Sequence, residues 1–350
     1  MSSFTDSRSV TASAPAKVIL LGEHAVNRGQ SALVVAVDLR AEVEVRLHGD
    51  GYLLESGLRT ERGELGELRA FADRIDTLRK DAAFDSLAAL AADDFFAPLR
   101  YVLALVDERS PLPPLEVTVR SAIPVGAGFG SGSAVASALA VAVGCAAGTK
   151  LSAEDVVKLA WAGDTIAHGG IASALDASGC ALGGVVRYSV EEGARRVCSG
   201  EPLALVVGDT GVTASTASVN ARVRRLLARR PALAHLFAEI GLLVDEAVAA
   251  VESGDLERLG RLLNLNELVL ERLGISCPEI DALVTAALEA GALGAKLSGS
   301  GGGGIVVALA RPTDVNAVAA AIEGAGGLVW VGGVSQAGAR VEPSPSFEAA

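Results

Sequence analysis

Cysteine is scarce in this sequence, and its spacing indicates neither a metal site nor a disulfide framework. The 350 residues include four cysteines and four histidines, and no two cysteines form a C-x-x-C pair. Structural zinc sites and disulfide-rich secreted domains need several closely spaced ligands or partners. Widely separated cysteines are typical of a reducing compartment, so we expect a cytoplasmic protein.

Aromatic residues and positive charge are also in short supply. Aromatic side chains make up 4% of the chain against 50% hydrophobic residues, which predicts cores of Ala, Val and Leu and argues against disorder. The formal net charge of -12 disfavours binding to nucleic acid or to an anionic membrane surface. A chain of 350 residues exceeds the usual size of one core, which favours two domains.

Hydrophobic runs long enough to cross a membrane are missing. The polar start, MSSFTDSRSVTAS, lacks the apolar core of a signal peptide, so no export is expected. Residues 121–149 carry no charge, but they begin as a Gly/Ser/Pro loop, and the apolar run from Ala134 to Cys145 is shorter than a membrane span. We therefore expect a buried helix there and no membrane partner.

Glycine, by contrast, is plentiful, and it is concentrated in PVGAGFGSGSA ahead of a long Ala/Val helix pattern. Glycines let the backbone approach a ligand closely, and the first N–H groups of the following helix are unpaired, so the expected ligand is an anion. Runs of small residues also serve close helix packing, so the segment by itself leaves both interpretations open. The candidate phosphate-binding residues are Pro124, Gly126, Ala127, Gly128, Phe129, Gly130, Ser131, Gly132 and Ser133.

Three further motifs accompany this segment in a fixed order. APAKVILLGEHAVNRG begins at Ala14, HGGIASALDASG at His168 and GAKLSGSGGGG at Gly294. With the glycine-rich segment second, the four motifs resemble the galactokinase, homoserine kinase, mevalonate kinase and phosphomevalonate kinase (GHMP) superfamily, and most closely its mevalonate kinase branch. The segments GGVVRY, GDTGVTAST and LGISCPEIDALV extend the resemblance over most of the chain.

The resemblance implies an α+β fold (two-layer α/β), the GHMP kinase fold, in two domains. Residues 1–195 would form a ribosomal protein S5 domain 2-like domain that carries the phosphate-binding loop and the catalytic aspartate. Residues 196–350 would form a ferredoxin-like α/β domain. The boundary falls in SVEEGARRVCSGEP, where charge and glycine content rise.

Local patterns are compatible with this organisation. Ser152 and Asp155 form a capping-box-like start for a helix that carries Asp164 and ends near His168. Strands are predicted at 32–37, 41–47, 115–119, 181–188, 203–208, 305–310 and 328–331, and helical segments at 65–107, 215–226, 231–253, 255–273, 278–290 and 314–323.

The resemblance implies phosphorylation of the C5 hydroxyl of mevalonate, with ATP and Mg²⁺ as cofactors, as an early step of isoprenoid synthesis. Two alternatives stay open: a GHMP kinase for phosphomevalonate or a sugar, and a non-catalytic ligand sensor on the same fold. Lys17 argues against the diphosphomevalonate decarboxylase branch, which lacks a lysine of this kind. A homodimer is compatible with the family.

Lys17 and Asp176 are the candidate catalytic residues. From the residues alone, Lys17 is either a surface lysine at a sheet edge or a buried lysine that needs an anionic partner. Asp176, in a small-residue loop, either caps a helix or turn or projects into a cleft. The resemblance implies that Lys17 lies beside Asp176 and the hydroxyl to be phosphorylated, where its ammonium would hold Asp176 ionised.

The resemblance also implies a magnesium site, which needs hard oxygen ligands. Asp164 takes the place of a metal-binding glutamate of the family, although from the residues alone it is equally an exposed helix acid. The family motif G-L-G-S-S-A places a metal-binding serine where this chain has Gly132, so Ser131, Ser133 or water would have to substitute. The HGGIASALD segment is one residue longer than the family motif.

The residues on the substrate side are likewise assigned by resemblance. Glu23 and His24 follow an apolar strand, which suits a cleft, although a buried, hydrogen-bonded histidine is the alternative. Lys296 is interpreted as a solvated strand residue without a catalytic role. The full substrate set is Lys17, Glu23, His24, Asp176, Tyr188 and Gly301.

Overall fold

The computed structural model describes residues 9–47, 49–57 and 59–343, which form two β-sheets flanked by helices. Most of the polar start considered above, and the last seven residues, lie outside these ranges. Within them, none of the helices combines the length and the apolar composition needed to cross a membrane.

The first sheet is built around the long strand formed by residues 32–47, which pairs with three other strands. Its eight strands are β1 (Ser9–Leu21), β2 (Ala32–Leu47), β3 (Tyr52–Ser56), β4 (Arg59–Gly63), β5 (Leu115–Ser121), β6 (Val185–Ser189), β7 (Gly193–Val197) and β12 (Arg340–Val341). The order is β12-β1-β2-β5-β3-β4, and β6 pairs with both β2 and β7. The β3–β5 pair is parallel and the other pairs are antiparallel.

A layer of helices packs on this sheet. Its members are α1 (Leu65–Lys80), α2 (Phe84–Asp93), α3 (Ala97–Asp107), α4 (Ser131–Ala146), α5 (Ala153–Ala167) and α6 (Leu175–Leu182). The alanine-rich helix α4 contacts β1, β2, α3 and α5. Small residues permit these close approaches: a Cβ at Gly163 of α5 would lie 2.8 Å from Val102 Cγ2 of α3.

The second sheet has the strand order of a ferredoxin-like fold. It contains β8 (Ala204–Asp209), β9 (Gly294–Ser298), β10 (Ile305–Ala310) and β11 (Leu328–Gly333), all antiparallel in the order β11-β8-β10-β9. Its helices are α7 (Thr216–Arg229), α8 (Leu236–Ser253), α9 (Leu256–Arg272), α10 (Pro278–Glu289) and α11 (Val315–Gly324). The α+β class implied by the sequence resemblance is thereby confirmed.

The open edge of β9 is closed by side chains of α9. Asn264 Oδ1 accepts a hydrogen bond from the Ala295 N–H at 2.9 Å, and Glu267 Oε2 accepts one from the Leu297 N–H at 2.9 Å. These bonds satisfy backbone donors that an edge strand otherwise leaves unpaired. They also anchor the strand that leads into the glycine-rich residues 299–304.

Several sequence-based boundaries need correction. The strand predicted at 181–188 begins only at Val185, because the small residues before it form helix α6. Asp176 therefore lies in the first turn of a helix and not in a loop. The helical segment predicted at 65–107 is confirmed and consists of three helices. The capping box is confirmed, since the Ser152 hydroxyl accepts from the Asp155 N–H and the Asp155 carboxylate accepts from the Ser152 N–H.

Candidate active site

The first glycine-rich segment forms a loop between β5 and α4. Gly126, Gly128 and Gly130 have φ angles of 78°, 100° and 72°, in the left-handed region that favours glycine. Gly130 precedes α4, and among the described residues no side chain caps the start of this helix. Its first N–H groups therefore remain available for an anion, which the helix dipole also attracts.

Phe129 does not face a ligand, although it belongs to the predicted phosphate-binding loop. Its side chain is fully buried and packs edge-on against Trp330, with ring centroids 5.1 Å apart. Its carbonyl oxygen accepts a hydrogen bond from the Lys17 N–H at 2.9 Å. Phe129 thus fixes the loop to the core instead of contacting a phosphate with its ring.

A second glycine-rich loop, residues 299–304, faces the first. Gly301 has a φ of 76°, and a Cβ there would lie 2.4 Å from the Ile275 carbonyl oxygen, so only glycine fits. The two loops enclose a narrow cleft, lined by Gly126, Ala127, Gly128, Ala214, Ser298, Ser300, Gly301, Gly303 and Gly304.

Lys17 and Asp176 come together at the base of the first loop. Lys17, on β1, is 2% exposed, and its Nζ lies 3.0 Å from Asp176 Oδ2 and donates to the Gly128 carbonyl oxygen at 3.0 Å. The Asp176 side chain is 28% exposed, so it is partly accessible to solvent. The extra residue in HGGIASALD therefore does not keep Asp176 from Lys17.

Asp164 lies on α5 beside the start of α4 and is almost fully buried. Burial raises the pKa of Asp164 to about 6, and the Asp176 carboxylate adds to the rise while His168 and Lys17 oppose it. A Cβ added at Gly132 would lie 3.3 Å from Asp164 Oδ1, so this carboxylate faces the first turn of α4. This placement brings Asp164 next to Ser133, which is another of the candidate magnesium ligands.

Ser133 is the better placed of the two serines. Its hydroxyl is fully buried next to the Asp164 carboxylate, and it makes no well-formed hydrogen bond within the described residues. Ser131 is only partly buried. A buried carboxylate beside an unpartnered hydroxyl offers the hard oxygen donors that Mg²⁺ prefers, so the residues present fit this ion.

Glu23 forms an ion pair across the two sheets. Its carboxylate accepts from the Lys296 ammonium, and both side chains are at most 1% exposed. Burial raises the pKa of Glu23, although Lys296 opposes the rise. The interpretation of Lys296 as a solvated strand residue is therefore wrong. Lys296 lies on β9, a strand that is buried along its whole length, and in that position its charge requires a carboxylate partner.

His24 lies at the edge of the cleft. It adopts a φ of 58°, and its ring Nε2 donates to the Ser300 carbonyl oxygen at 2.9 Å. Burial lowers the pKa of His24, and Arg28 and Arg222 act in the same direction, so the ring is neutral near pH 7. The ring is neutral and hydrogen-bonded to the second glycine-rich loop, so it is suited to a hydrogen bond with a ligand and not to an ion pair.

Tyr188 lies behind the site. It is buried on β6 in a small apolar cluster with Ile19 of β1 and Leu175 at the start of α6. Ser298, which the sequence motifs did not single out, accepts from the Ile19 N–H at 2.7 Å and links β1 to β9. Lys296 and Ser298 both belong to β9, a strand that is buried along its whole length, and the sequence carried no signal for either placement.

Family models match both halves of the chain. Residues 98–184 match the GHMP kinases N terminal domain and residues 247–328 match the GHMP kinases C terminal domain. The fold and the motifs thus define a class of small-molecule phosphotransferase, and the chain belongs to the GHMP kinase family.

Within that family the chain is similar to mevalonate kinases. It is 36% identical to the mevalonate kinase of Pyrococcus horikoshii, over 95% of this chain and 98% of the relative. It is 35% identical to that of Aeropyrum pernix, over 96% and 99%, and 30% identical to that of Bos taurus, over 96% and 96%.

Solved structures agree on the fold. The L. major mevalonate kinase in complex with R-mevalonate aligns with a TM-score of 0.75 at 24% identity, covering 97% of this chain and 100% of that one. The Lactococcus lactis galactokinase complexed with galactose aligns with a TM-score of 0.73 at 17% identity, covering 95% of each chain.

We predict that Asp164→Asn stabilises the metal-free protein at pH 8. The pKa of Asp164 is about 6 in the folded protein, against about 3.9 when unfolded. The folded state therefore loses stability as the pH rises from about 4 to about 6, and the loss persists above that range. Two pKa units correspond to at most about 3 kcal/mol. Urea unfolding of wild type and of Asp164→Asn, in the presence of a metal chelator at pH 4 and at pH 8, measures the difference in their free energies of unfolding.

Asp155→Asn, on the same helix, is the matched control with the opposite sign. The Ser152 and Arg109 hydrogen bonds lower the pKa of Asp155 to about 2. Its contribution is thus present above the unfolded pKa and is lost as the pH falls, so Asp155→Asn should destabilise the protein at pH 8. Equal stability of Asp164→Asn and wild type at pH 8 would contradict the prediction.

Proposed function

We propose that this protein transfers the γ-phosphate of ATP to the C5 hydroxyl of mevalonate, giving 5-phosphomevalonate and ADP. Mevalonate kinases 34–36% identical over nearly the whole chain support the substrate. The observation that carries the chemistry is the Lys17–Asp176 ion pair at 3.0 Å, beside the uncapped start of α4.

Asp176 is the group that handles the substrate hydroxyl in this proposal. Its partly exposed carboxylate accepts a hydrogen bond from that hydroxyl and can take the proton as the new O–P bond forms and the bond from the β-phosphate oxygen to the γ-phosphorus breaks. Phosphoryl transfer passes through a loose transition state, so orientation and charge neutralisation contribute more than complete proton removal. Asp176 is therefore expected to position the hydroxyl at least as much as to deprotonate it.

Lys17 neutralises charge at the centre of the same site. Its ammonium lies between the Asp176 carboxylate and the Gly128 carbonyl oxygen of the phosphate loop. From there it can neutralise the negative charge that the transferring phosphoryl group would develop. The unpaired N–H groups at the start of α4 serve the remaining phosphate oxygens.

Asp164 is proposed as the main magnesium ligand, with Ser133 as the supplementary hydroxyl and Ser131 as the less favoured one. Mg²⁺, when bound, neutralises charge on the ATP phosphates. A full carboxylate charge attracts this ion more than a hydroxyl dipole does, and water readily replaces a hydroxyl in an octahedral shell.

The substrate side divides into two groups of residues. Gly301 lines the cleft, and His24 is hydrogen-bonded to Ser300, which also lines it, so we propose that both contact mevalonate together with Lys17 and Asp176. Glu23 and Tyr188 are proposed to shape the cleft from behind, Glu23 through its ion pair with Lys296 and Tyr188 through apolar packing.

Three broader features complete the proposal. The chain divides at about 195/196 into an N-terminal and a C-terminal kinase domain. A cytoplasmic location is supported by four free cysteines, none of them in a disulfide. A homodimer is the assembly that the family suggests.

We predict turnover of mevalonate in a coupled ADP-release assay with Mg-ATP. The comparison set is phosphomevalonate, homoserine, galactose and shikimate at equal concentration, which covers the related kinases. Mevalonate should give the highest kcat/KM, and the product should carry its phosphate on the terminal oxygen. ATP binding without turnover of any of these compounds would favour a ligand sensor.

We predict that Lys17→Met and Asp176→Asn each lower kcat by about 10²- to 10⁴-fold, the range for removing a group that handles a proton or positions charge. The double variant should lose less than the product of the two single losses, because each residue positions the other. Lys158→Met, which removes an exposed lysine on α5, is the control and should retain wild-type kcat. Near wild-type kcat in either catalytic variant would disprove the assignment.

We predict that Asp164→Ala raises the magnesium requirement more than Ser133→Ala, and Ser133→Ala more than Ser131→Ala. Gly132→Ser should lower the requirement, since Gly132 is helical rather than left-handed and its added side chain would face Asp164 Oδ1. Titrating magnesium at saturating ATP measures all four variants. An Asp164→Ala curve that overlays wild type would remove Asp164 from the metal site.

A further inference from the structure

A second group of carboxylates lies outside the active site, where α9 turns into α10. One oxygen from each of Glu267, Glu271 and Asp281 lies within 4.8 Å of the others. Glu267 and Glu271 are one helical turn apart on α9, and Asp281 lies in the first turn of α10. Within the described residues, none of these carboxylates takes part in a salt bridge with a lysine, arginine or histidine.

Glu267 is the unusual member of this trio. It is 3% exposed, and while its Oε2 accepts from the Leu297 N–H, its Oε1 has no hydrogen-bond partner among the described residues. A buried carboxylate oxygen without a partner is costly. The nearby Lys296 does not provide one, because its ammonium bonds to Glu23 and to the Leu297 carbonyl oxygen.

The pKa shifts of Glu267 and Glu271 also indicate that the negative charge of this trio is poorly compensated. Burial raises the pKa of Glu267 to about 7, and Glu23 and Glu271 add to the rise while Lys296 opposes it. The pKa of Glu271 is also raised, by burial and then by Asp281. Three acids held this close destabilise one another unless protons or a cation compensate their charge.

We propose that Glu267, Glu271 and Asp281 bind a hard divalent cation at this turn, separate from the magnesium site at Asp164. The donors are all carboxylate oxygens, without the sulfur or imidazole ligands that select zinc or copper. Because Glu271 and Asp281 are exposed, water can complete the coordination shell.

The site would act on the second glycine-rich loop. The α9–α10 turn carries Ile275, whose carbonyl oxygen accepts from the Gly302 N–H at 2.9 Å and from Arg222 Nη2 at 3.1 Å. Glu267 also holds β9, the strand that leads into this loop. A cation joining α9 to α10 therefore stabilises both attachments of residues 299–304.

The experiment counts bound Mn²⁺ ions by electron paramagnetic resonance, without nucleotide. The starting protein is Asp164→Ala, which removes the carboxylate of the active-site metal. We expect the further changes Glu271→Gln and Asp281→Asn to abolish one bound Mn²⁺ per chain, with a Kd in Asp164→Ala no weaker than about 10⁻³ M. Both side chains are exposed, so the fold should tolerate the amides.

Glu279→Gln is the control, because it removes a carboxylate charge from an exposed position in the first turn of the same helix α10, outside the trio. It should leave the Mn²⁺ count unchanged. As a second readout, Ca²⁺ should raise the Tm of Asp164→Ala but not of the variant that also carries the two amides. An unchanged Mn²⁺ count after the two amide substitutions would overturn the proposal and indicate that Glu267 is simply protonated.

Discussion

The burial of one ammonium group constrains the architecture of the active site. Lys17 is 2% exposed on β1, and an unpaired charge there would cost several kcal/mol. Asp176 and the Gly128 carbonyl oxygen supply its partners. Its stem leaves no room for neighbouring side chains, since Cβ atoms at Gly130 and Gly179 would lie 2.8 Å from Lys17 Cε and 3.1 Å from Lys17 Cβ. Gly130 and Gly179 therefore serve the packing of this lysine.

A second buried pair joins the two sheets. Glu23 follows β1 of the first sheet and Lys296 belongs to β9 of the second, and the Ile19–Ser298 hydrogen bond lies near the same contact. Removing one partner of a buried pair is strongly destabilising, because the other charge is left uncompensated. This contact holds the two glycine-rich loops face to face, so the cleft between them depends on it.

Much of the fold and of the site could be predicted from the sequence. The motif order indicated the GHMP kinase fold, and the capping box at Ser152 placed the helix that carries Asp164. The status of Lys296 could not be predicted, since a lysine among apolar residues reads equally as a snorkelling surface residue. Its burial beside Glu23 is a tertiary contact between residues that are distant in sequence. That Ser133 rather than Ser131 lies buried beside Asp164 was open for the same reason.

The sequence by itself determined what is local in this protein: helix caps, strand alternation, and glycines at positions that need positive φ. Tertiary structure alone decided which groups share a buried environment. Asp164 and Asp176 lie on separate helices, and only packing brings the Asp176 carboxylate close enough to raise the pKa of Asp164. Likewise, Glu267 becomes a buried carboxylate with one unpartnered oxygen only because α9 covers the edge of β9. Desolvation and charge proximity are properties of the folded arrangement, and no spacing along the chain encodes them.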